Sequence, residues 1–219
     1  MTESVWRRMN VVLHEIRASE AALAGRFEVT RAFAIEAIER VGDLVAGAGL
    51  ELRVFLDDGD VTHYDFTLEL AARGIGVSLA LVTGALGSPG HLSTLQVAEL
   101  AKVARVELLS HGVTHVTLAG EPVRSRDEVG VQLSSSRRAL AALGIDAREF
   151  VYPYGIYSPE VVVLVGEIYR GAYTCDHGFE DAATPPLLKP RIVIDQRRSP
   201  AEWRELIARL LKAQGDRNG

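Results

Sequence analysis

The chain has 219 residues, 47% of them hydrophobic, which is enough to bury one sizeable core and too few for two comfortable domains. Its 29 acidic and 24 basic residues give a net charge of −5 without a block of one sign, and this argues against a nucleic-acid surface or a polybasic membrane patch. We therefore expect one domain over residues 1–219, with a short polar tail at about 214–219, and a small partner. The oligomeric state is left open.

The cysteine content and the first residues of the chain are informative about the cellular compartment of the protein. Cys175 is the single cysteine, which excludes an internal disulfide. The first residues offer only a few apolar side chains before His14 and Glu15, too few for a signal-peptide core, and no run is long enough to span a bilayer. We expect a cytoplasmic protein without a membrane span, although a chain trimmed of a leader would look the same.

Short apolar runs alternate with segments of helical periodicity along the chain. In chain order, strands are predicted in MNVVLHEI, LELRVFL, IGVSLALVTG, VELLS, EFV, GAYTC and RIVI. Helices are predicted in TRAFAIEAIERVGDLVAG, HYDFTLELAARG, STLQVAELAKVAR, SRDEVGVQLSSSRRALAALG, SPEVVVLVGEIY and SPAEWRELIARLLKAQ. This alternation favours a parallel α/β sheet or barrel, in which functional groups gather at the carboxyl ends of strands.

Several helices carry capping residues and one apolar face. Thr30 is a candidate N-cap, and Ser125 and Glu128 have the spacing of a capping box. The faces expected to be buried carry Ala34, Ile38, Val41, Val45, Val129, Leu133, Leu140, Leu143, Trp203, Ile207 and Leu210.

The first candidate site is RVFLDDGD, residues 53–60, where an apolar run ends in adjacent carboxylates. Like charges at contact repel and burial penalises both, so Asp57 and Asp58 imply positive charge nearby. Successive side chains at a strand end point in different directions, which allows the two acids different tasks. An ordinary turn is the alternative for an isolated DDG.

The second candidate is SHGVTH, which places His111 and His115 four residues apart directly after a predicted strand. On a helical turn this spacing puts both imidazoles on one face, able to bind one divalent cation. Lone histidine pairs are more often caps or core residues, but here the pair and the acids all follow strands. Two imidazoles and one carboxylate leave open positions on a zinc-like ion, which can then activate water or polarise a carbonyl.

Three segments in order resemble the motifs of the polysaccharide deacetylases, carbohydrate esterase family 4, which share the NodB homology domain. FLDDGD resembles the family's TFDDG motif, SHGVTH its SH-x-x-x-H motif, and VYPYGIYS a third motif that ends in PYG. The resemblance covers most of the chain. It implies a distorted (β/α) barrel of about seven parallel strands in a single domain.

The resemblance also implies roles for the residues of the first two motifs. Asp58, His111 and His115 would hold one divalent metal ion, zinc first, with cobalt, nickel, manganese and iron as alternatives. Asp57 would be the general base that takes a proton from the attacking water. The cation would then supply the charge that lets two acids coexist.

The sequence departs from the family pattern at two positions that matter for catalysis: the general acid and the arginine that pairs with the general base. Val151 stands where the third motif usually has arginine, no Asp-x-x-Asp-Trp motif is visible, and RIVIDQ lacks the histidine of the usual final motif. A circularly permuted branch, resembling the poly-N-acetylglucosamine deacetylases, carries that histidine before the first motif and after a tyrosine. VVLHEI is similar, with Leu13 in the tyrosine's place, so His14 is the candidate acid. Arg191 is the candidate replacement for the arginine, with a structural salt bridge as the alternative.

Residues of the third motif are candidates for substrate contacts. Tyr154, Gly155 and Tyr157 are expected to bind substrate, the rings by stacking on a sugar face and the PYG turn by a backbone N–H aimed at the oxyanion. Packing is the alternative for the tyrosines, and for Tyr152 the two interpretations are balanced.

Two further histidines follow predicted strands. His63 comes soon after the acid pair and is interpreted as a polar residue at a helix start rather than a site residue. His177 follows GAYTC and is interpreted as a loop residue, with the pocket lining as the alternative.

Together these features predict a metal-dependent hydrolase that removes an acetyl group from an N-acetylated sugar, either a small molecule or an oligosaccharide. One alternative is a hydrolase of a different C–N amide, such as a formamide or a cyclic ureide. The other is a metal-binding module of the same fold without turnover. Asp57 favours an enzyme, because a binding module needs the metal ligands whereas only a hydrolase needs the base.

Overall fold

The computed structural model describes residues 7–20, 25, 27–122 and 124–215, so the end of the expected polar tail, residues 216–219, lies outside the described part. The strands are β1 Arg7–Leu13, β2 Ile16–Arg17, β3 Val29–Thr30, β4 Glu51–Leu56, β5 Gly76–Leu81, β6 Val106–Ser110, β7 Glu149–Val151, β8 Gly171–Tyr173, β9 Glu180–Asp181 and β10 Ile192–Val193. The helices are α1 Arg31–Gly47, α2 His63–Ala72, α3 Thr94–Leu100, α4 Arg126–Ala142, α5 Pro159–Gly166 and α6 Pro200–Gly215.

Seven strands form one curled parallel sheet in the order β10-β1-β4-β5-β6-β7-β8, and β9 pairs antiparallel with the start of β1. The curl makes a half-barrel, which confirms the predicted NodB-like (β/α) architecture. The short strands β2 and β3 form a separate parallel pair that the sequence analysis did not predict. Because the seven paired strands run the same way, their carboxyl ends meet at one edge of the sheet.

Alternation along the strands divides the core into an inner and an outer face. One cluster takes a buried residue from each of six strands, with Val193 of β10 partly buried against it: Val12, Phe55, Ala80, Leu109, Val151 and Tyr173. Their neighbours in sequence, such as Val11, Val54 and Leu79, belong to the larger core cluster, which also holds the buried faces of α1 and α6. Alternate residues of each strand therefore belong to different layers of the core, and the buried helix faces pack in the larger of them.

The predicted caps are confirmed, and some predicted extents are wrong. The Thr30 side chain accepts a hydrogen bond from the N–H of Phe33, and Ser125 with Glu128 forms a reciprocal capping box. Helix α3 ends at Leu100 rather than near residue 105, and residues 101–105 form turns, the last of them with Arg105 in a left-handed φ of 68° before β6.

Most of the predicted buried faces are buried, including Trp203 and Ile207. Leu143 and Leu210 are only half-buried, because each lies near the end of its helix. Within the described part of the chain, no helix is long and apolar enough to cross a membrane.

Candidate active site

The candidate site lies at the carboxyl edge of the sheet, where the ends of β1, β4, β6, β7 and β8 meet. His14 follows β1, Asp57 and Asp58 follow β4, and His111 follows β6. Beside them is a cleft of about 490 Å³ lined by His14, Phe27, Asp57, Asp58, His111, His115, Tyr154, Gly155, Cys175, His177, Val193, Arg197, Arg198 and Trp203. Most of the residues singled out in the sequence therefore converge on one cavity.

Asp58, His111 and His115 form a compact group of possible metal ligands. One ligand atom from each lies within 4.8 Å of the others. The Asp58 Oδ1 atom is 3.3 Å from Nε2 of His115 and 3.6 Å from Nε2 of His111. This oxygen is buried and has no hydrogen-bond donor among the described residues. Three potential ligand atoms that converge with no hydrogen bond between them fit a divalent cation.

Hydrogen bonding and burial prepare His111 as a ligand. Its Nδ1–H donates to the carbonyl of Val151 at 2.8 Å, which leaves the Nε2 lone pair facing Asp58. Burial lowers the pKa of His111 to about 3, so the ring is neutral at physiological pH. Burial also lowers the pKa of His115, whose ring lies 4.5 Å from that of Tyr154.

The expectation of a helical turn at SHGVTH is wrong. Residues 111–115 form an irregular loop in which Gly112 has φ 82° and His115 has φ 47°. Left-handed backbone is accessible to glycine but strained for histidine, by about 1–3 kcal/mol. The two imidazoles converge because the loop turns back at these residues, rather than because of helical periodicity.

Asp57 is held in its charged form by Arg191. Arg191 is fully buried, and its Nη1–H donates to Asp57 Oδ1 at 2.8 Å. Its Nε–H donates to the carbonyl of Thr174 at 3.0 Å, and its guanidinium lies 5.0 Å from the ring centre of Phe55. Burial alone would raise the pKa of Asp57, but the charge and hydrogen bond of Arg191 outweigh it and hold this pKa well below its usual range.

The adjacent acids therefore differ in their electrostatic surroundings. The pKa of Asp58 is raised to about 6, first by burial and then by the negative charge of Asp57. Arg191 supplies the positive charge for Asp57 but donates no hydrogen bond to Asp58. A cation bound between Asp58 and the two imidazoles would supply the missing charge.

His14 lies between β1 and β2 at the side of the cleft. Its ring centre is 5.0 Å from that of Phe27, and its Nδ1 is buried with no hydrogen-bond partner in the described part of the chain. The carbonyl of His14 accepts a hydrogen bond from Nε2 of His63 at 2.7 Å. His63 does begin α2, as interpreted, but its side chain is fully buried against the His14 segment, a contact that no sequence signal predicted.

The three residues expected to bind substrate have different surroundings. Tyr154, with φ 60°, is 60% exposed and lines the cleft together with Gly155. Tyr157 is not among the residues lining the cleft: its ring lies 5.5 Å from that of Tyr152, and its hydroxyl donates to Asp176. Tyr152 is fully buried, which favours the packing interpretation.

The cleft also contains residues that the sequence analysis did not assign to it. Phe27, Cys175, Arg197 and Arg198 line it, as does Trp203, which had been expected only in the core. His177 lines it as well, against the interpretation as a plain loop residue. For Cys175 and His177 a signal existed, because Cys175 ends the predicted strand GAYTC and His177 follows it. For the others no motif or spacing marks the position.

The curled half-barrel with an Asp-His-His group at its carboxyl edge is the architecture expected of the polysaccharide deacetylase class. No family model matches the sequence, and no curated protein sequence is significantly similar to it. Solved structures are similar. Streptococcus pyogenes deacetylase PplD, in complex with acetate, aligns with a TM-score of 0.76 and 19% identity over 95% of this chain and 99% of its own.

Two further structures give the same result. A polysaccharide deacetylase from Bacillus cereus aligns with a TM-score of 0.76 and 17% identity, over 94% of this chain and 69% of its own. IcaB from Ammonifex degensii aligns with a TM-score of 0.71 and 21% identity, over 92% and 97% of the two chains. The chain therefore has the fold of the polysaccharide deacetylases.

Proposed function

We propose that the protein is a metal-dependent N-deacetylase that hydrolyses the acetamide of an N-acetylated sugar. The observation that carries this proposal is the pairing of two unlike carboxylates at one strand end. Asp57 is buried and ionised beside Arg191, and Asp58 faces two neutral imidazoles. The similar solved structures support it, because several are described as deacetylases and one of these holds acetate.

Asp58, His111 and His115 would hold the ion, for which we propose zinc, with cobalt, nickel, manganese and iron as alternatives. Two imidazole nitrogens and one carboxylate oxygen suit these metals and leave coordination positions open. When bound, the ion supplies Lewis-acid chemistry, lowering the pKa of water toward about 7 and polarising a carbonyl.

Asp57 would act as the general base. Arg191 donates to its Oδ1, which leaves Oδ2 to accept a proton from the attacking water. Because Arg191 keeps the pKa of Asp57 low, the carboxylate is deprotonated and competent at neutral pH. Arg191 would thus position the base as well as hold it in its charged form.

His14 and the PYG turn would complete the site. The protonated imidazole of His14 would deliver a proton to the leaving amine. The N–H of Gly155 already donates to the carbonyl of Tyr152 at 2.9 Å, so we assign the oxyanion donor to the N–H of Tyr154. The exposed ring of Tyr154 offers a face on which a sugar could stack.

The test is acetate release from N-acetylglucosamine, its short oligomers and a nucleotide-linked form, with added zinc or cobalt and with a chelator. Release should stop with chelator and fall by about 10²–10⁴ in Asp57→Asn. Asp43→Asn is the matched control, because Asp43 is exposed on α1. Release that persists without metal or in Asp57→Asn contradicts the mechanism, and no release from metal-loaded protein favours another amide or a module without turnover.

A further inference from the structure

The segment that carries His14 is attached to the first residues of α2. The Nε2–H of His63 donates to the carbonyl of His14 at 2.7 Å. Two residues further along, the N–H of Ile16 donates to the hydroxyl oxygen of Thr62 at 3.3 Å. His14 itself lies between β1 and β2, outside both ladders, so its carbonyl depends on a side chain for its partner.

His63 is an unusual choice for a purely structural position. Its side chain is fully buried, and its Nδ1 has no hydrogen-bond partner in the part of the chain that the structure describes. A buried polar atom left unsatisfied costs about 1–3 kcal/mol, and an apolar residue of similar size would remove this cost at Nδ1 only by taking the donor away from the His14 carbonyl. The one hydrogen bond of this imidazole goes to the backbone of the candidate acid.

The acceptor determines the tautomer of His63. A carbonyl oxygen can only accept, so the proton lies on Nε2 and the lone pair on Nδ1. Burial lowers the pKa of His63, which keeps the ring neutral. The ring is therefore a fixed single donor aimed at residue 14.

We propose that His63 is a positioning residue for His14, whose N–H holds the His14 carbonyl and thereby sets the imidazole of His14 over the cleft. The inference rests on the proposed function, in which His14 protonates the leaving amine. The segment that joins β4 to α2 begins with Asp57, whose N–H donates to the carbonyl of Leu13 at 3.2 Å, and it leads directly to His63. This one short segment would therefore position both the base and the acid. Misplacement of a catalytic group by about 1 Å costs on the order of a hundredfold in rate.

The experiment compares an amide with an ester that needs no acid. The zinc-loaded full chain is assayed with the acetylated sugar that it deacetylates best and with 4-nitrophenyl acetate, whose leaving group departs without protonation. His63→Leu removes the donor at similar volume, and His63→Gln restores an N–H. His14→Ala reports the full loss of the acid, and thermal melting with bound-zinc content monitors the fold.

We expect His63→Leu to lower kcat on the amide by about 10- to 100-fold, with KM and ester hydrolysis nearly unchanged. His63→Gln should recover most of the amide rate. His14→Ala should show the same amide-selective loss, with a larger reduction in kcat than His63→Leu. If His63→Leu does not fold, His63→Phe, which keeps a planar ring without the donor, replaces it.

Equal losses on amide and ester, or a loss that His63→Gln does not recover, would overturn the positioning role. Failure of the proposed function itself is recognised from the His14→Ala variant. If His14→Ala has no amide-selective loss, His14 is not the acid, and the proposed function fails at that step whatever His63 does.

Discussion

The two edges of the curled sheet differ in how their charges are compensated. At the amino edge several charged side chains meet an opposite charge: Arg8 with Glu51 and Glu180, Arg53 with Glu107, and Lys189 with Glu149 and Glu180. At the carboxyl edge Asp57 has Arg191, but Asp58 Oδ1 and His14 Nδ1 are buried without a hydrogen-bond partner among the described residues. The ion pairs at the amino edge stabilise the fold. At the carboxyl edge, a bound cation and a substrate would supply the partners that the protein itself does not.

Backbone strain shows the same contrast. Of the four non-glycine residues with positive φ in the described ranges, Asp58, His115 and Tyr154 lie at the carboxyl edge, and Arg105 lies outside it. Such conformations persist only where the surrounding structure enforces them, and they concentrate at functional sites. Strain and unmatched charge therefore coincide at the same edge.

The largest effect should come from removing a ligand at the carboxyl edge. His111→Ala takes one of three groups from the proposed metal site, so bound zinc and deacetylation should both fall below detection. Metal analysis and acetate release on the same preparation test this. His91→Ala, which removes a histidine outside the triad, should keep both, and full zinc occupancy in His111→Ala would refute the assigned ligand set.

The next largest effect should follow from Arg191→Met, which leaves Asp57 buried without its partner. Removing one member of a buried pair costs about 3–5 kcal/mol, and denaturant unfolding at pH 7 measures it. Because the pKa of Asp57 is lowered in the fold, its contribution is present above the unfolded value near 3.9 and is lost as pH falls below that. The difference in unfolding free energy between wild type and Arg191→Met should therefore narrow as the pH falls below about 4, toward the lowered pKa of Asp57.

Arg191→Lys is the matched variant, since it keeps the charge and loses the planar fork. It should lie between wild type and Arg191→Met in stability. A gap between wild type and Arg191→Met that stays constant with pH would mean that the guanidinium acts mainly through packing on Phe55.

A smaller effect is expected from Gly155→Ala in the PYG turn. The new Cβ would lie 2.6 Å from Cys175 Cβ, and φ is 70° at this position, so we expect a loss of about 1–3 kcal/mol and reduced activity. Gly130→Ala is the control, because it lies in α4 with open space around it.

The control variant Gly130→Ala should stabilise the protein by about 0.5–1 kcal/mol, since alanine is a better helix former than glycine. Thermal melting of both variants checks the pair. Equal melting temperatures for Gly155→Ala and wild type would contradict the close approach of the turn to Cys175.

The smallest effect is expected at the amino edge. Glu51→Gln removes one exposed partner of Arg8, which still has Glu180 at 3.7 Å, so the loss should be about 1 kcal/mol or less and deacetylation should be unchanged. Denaturant unfolding and acetate release measure both quantities. A large loss of activity here would invalidate the contrast between the edges.

The order of elements and much of the site were predictable because their signals are local. Apolar alternation, helical periodicity and caps such as Thr30 depend on neighbours within a few residues, and all three motifs follow strands. The positions of Asp57, Asp58 and His111 at one edge then follow from parallel pairing. The helical turn expected at SHGVTH was wrong because i,i+4 spacing alone does not distinguish a helix from a loop turned by Gly112.

Contacts between distant segments could not be read in this way. Arg191 lies 134 residues from Asp57, and the sequence offered only a choice between a catalytic pair and a structural one. The burial of His63 against His14 and the presence of Phe27 in the cleft had no local signal that separated them from ordinary surface or loop positions.

By itself, the sequence determined the alternation of strands and helices, the caps, and the set of side chains able to bind a metal, since these depend on residue type and short-range spacing. Only the tertiary structure decided which of those side chains meet. The curl of the sheet brings β10 beside β1 and so places Arg191 on Asp57, and the packing of α2 against the end of β1 places His63 on His14. Such contacts depend on how the sheet closes, which is a property of the whole core rather than of any one segment.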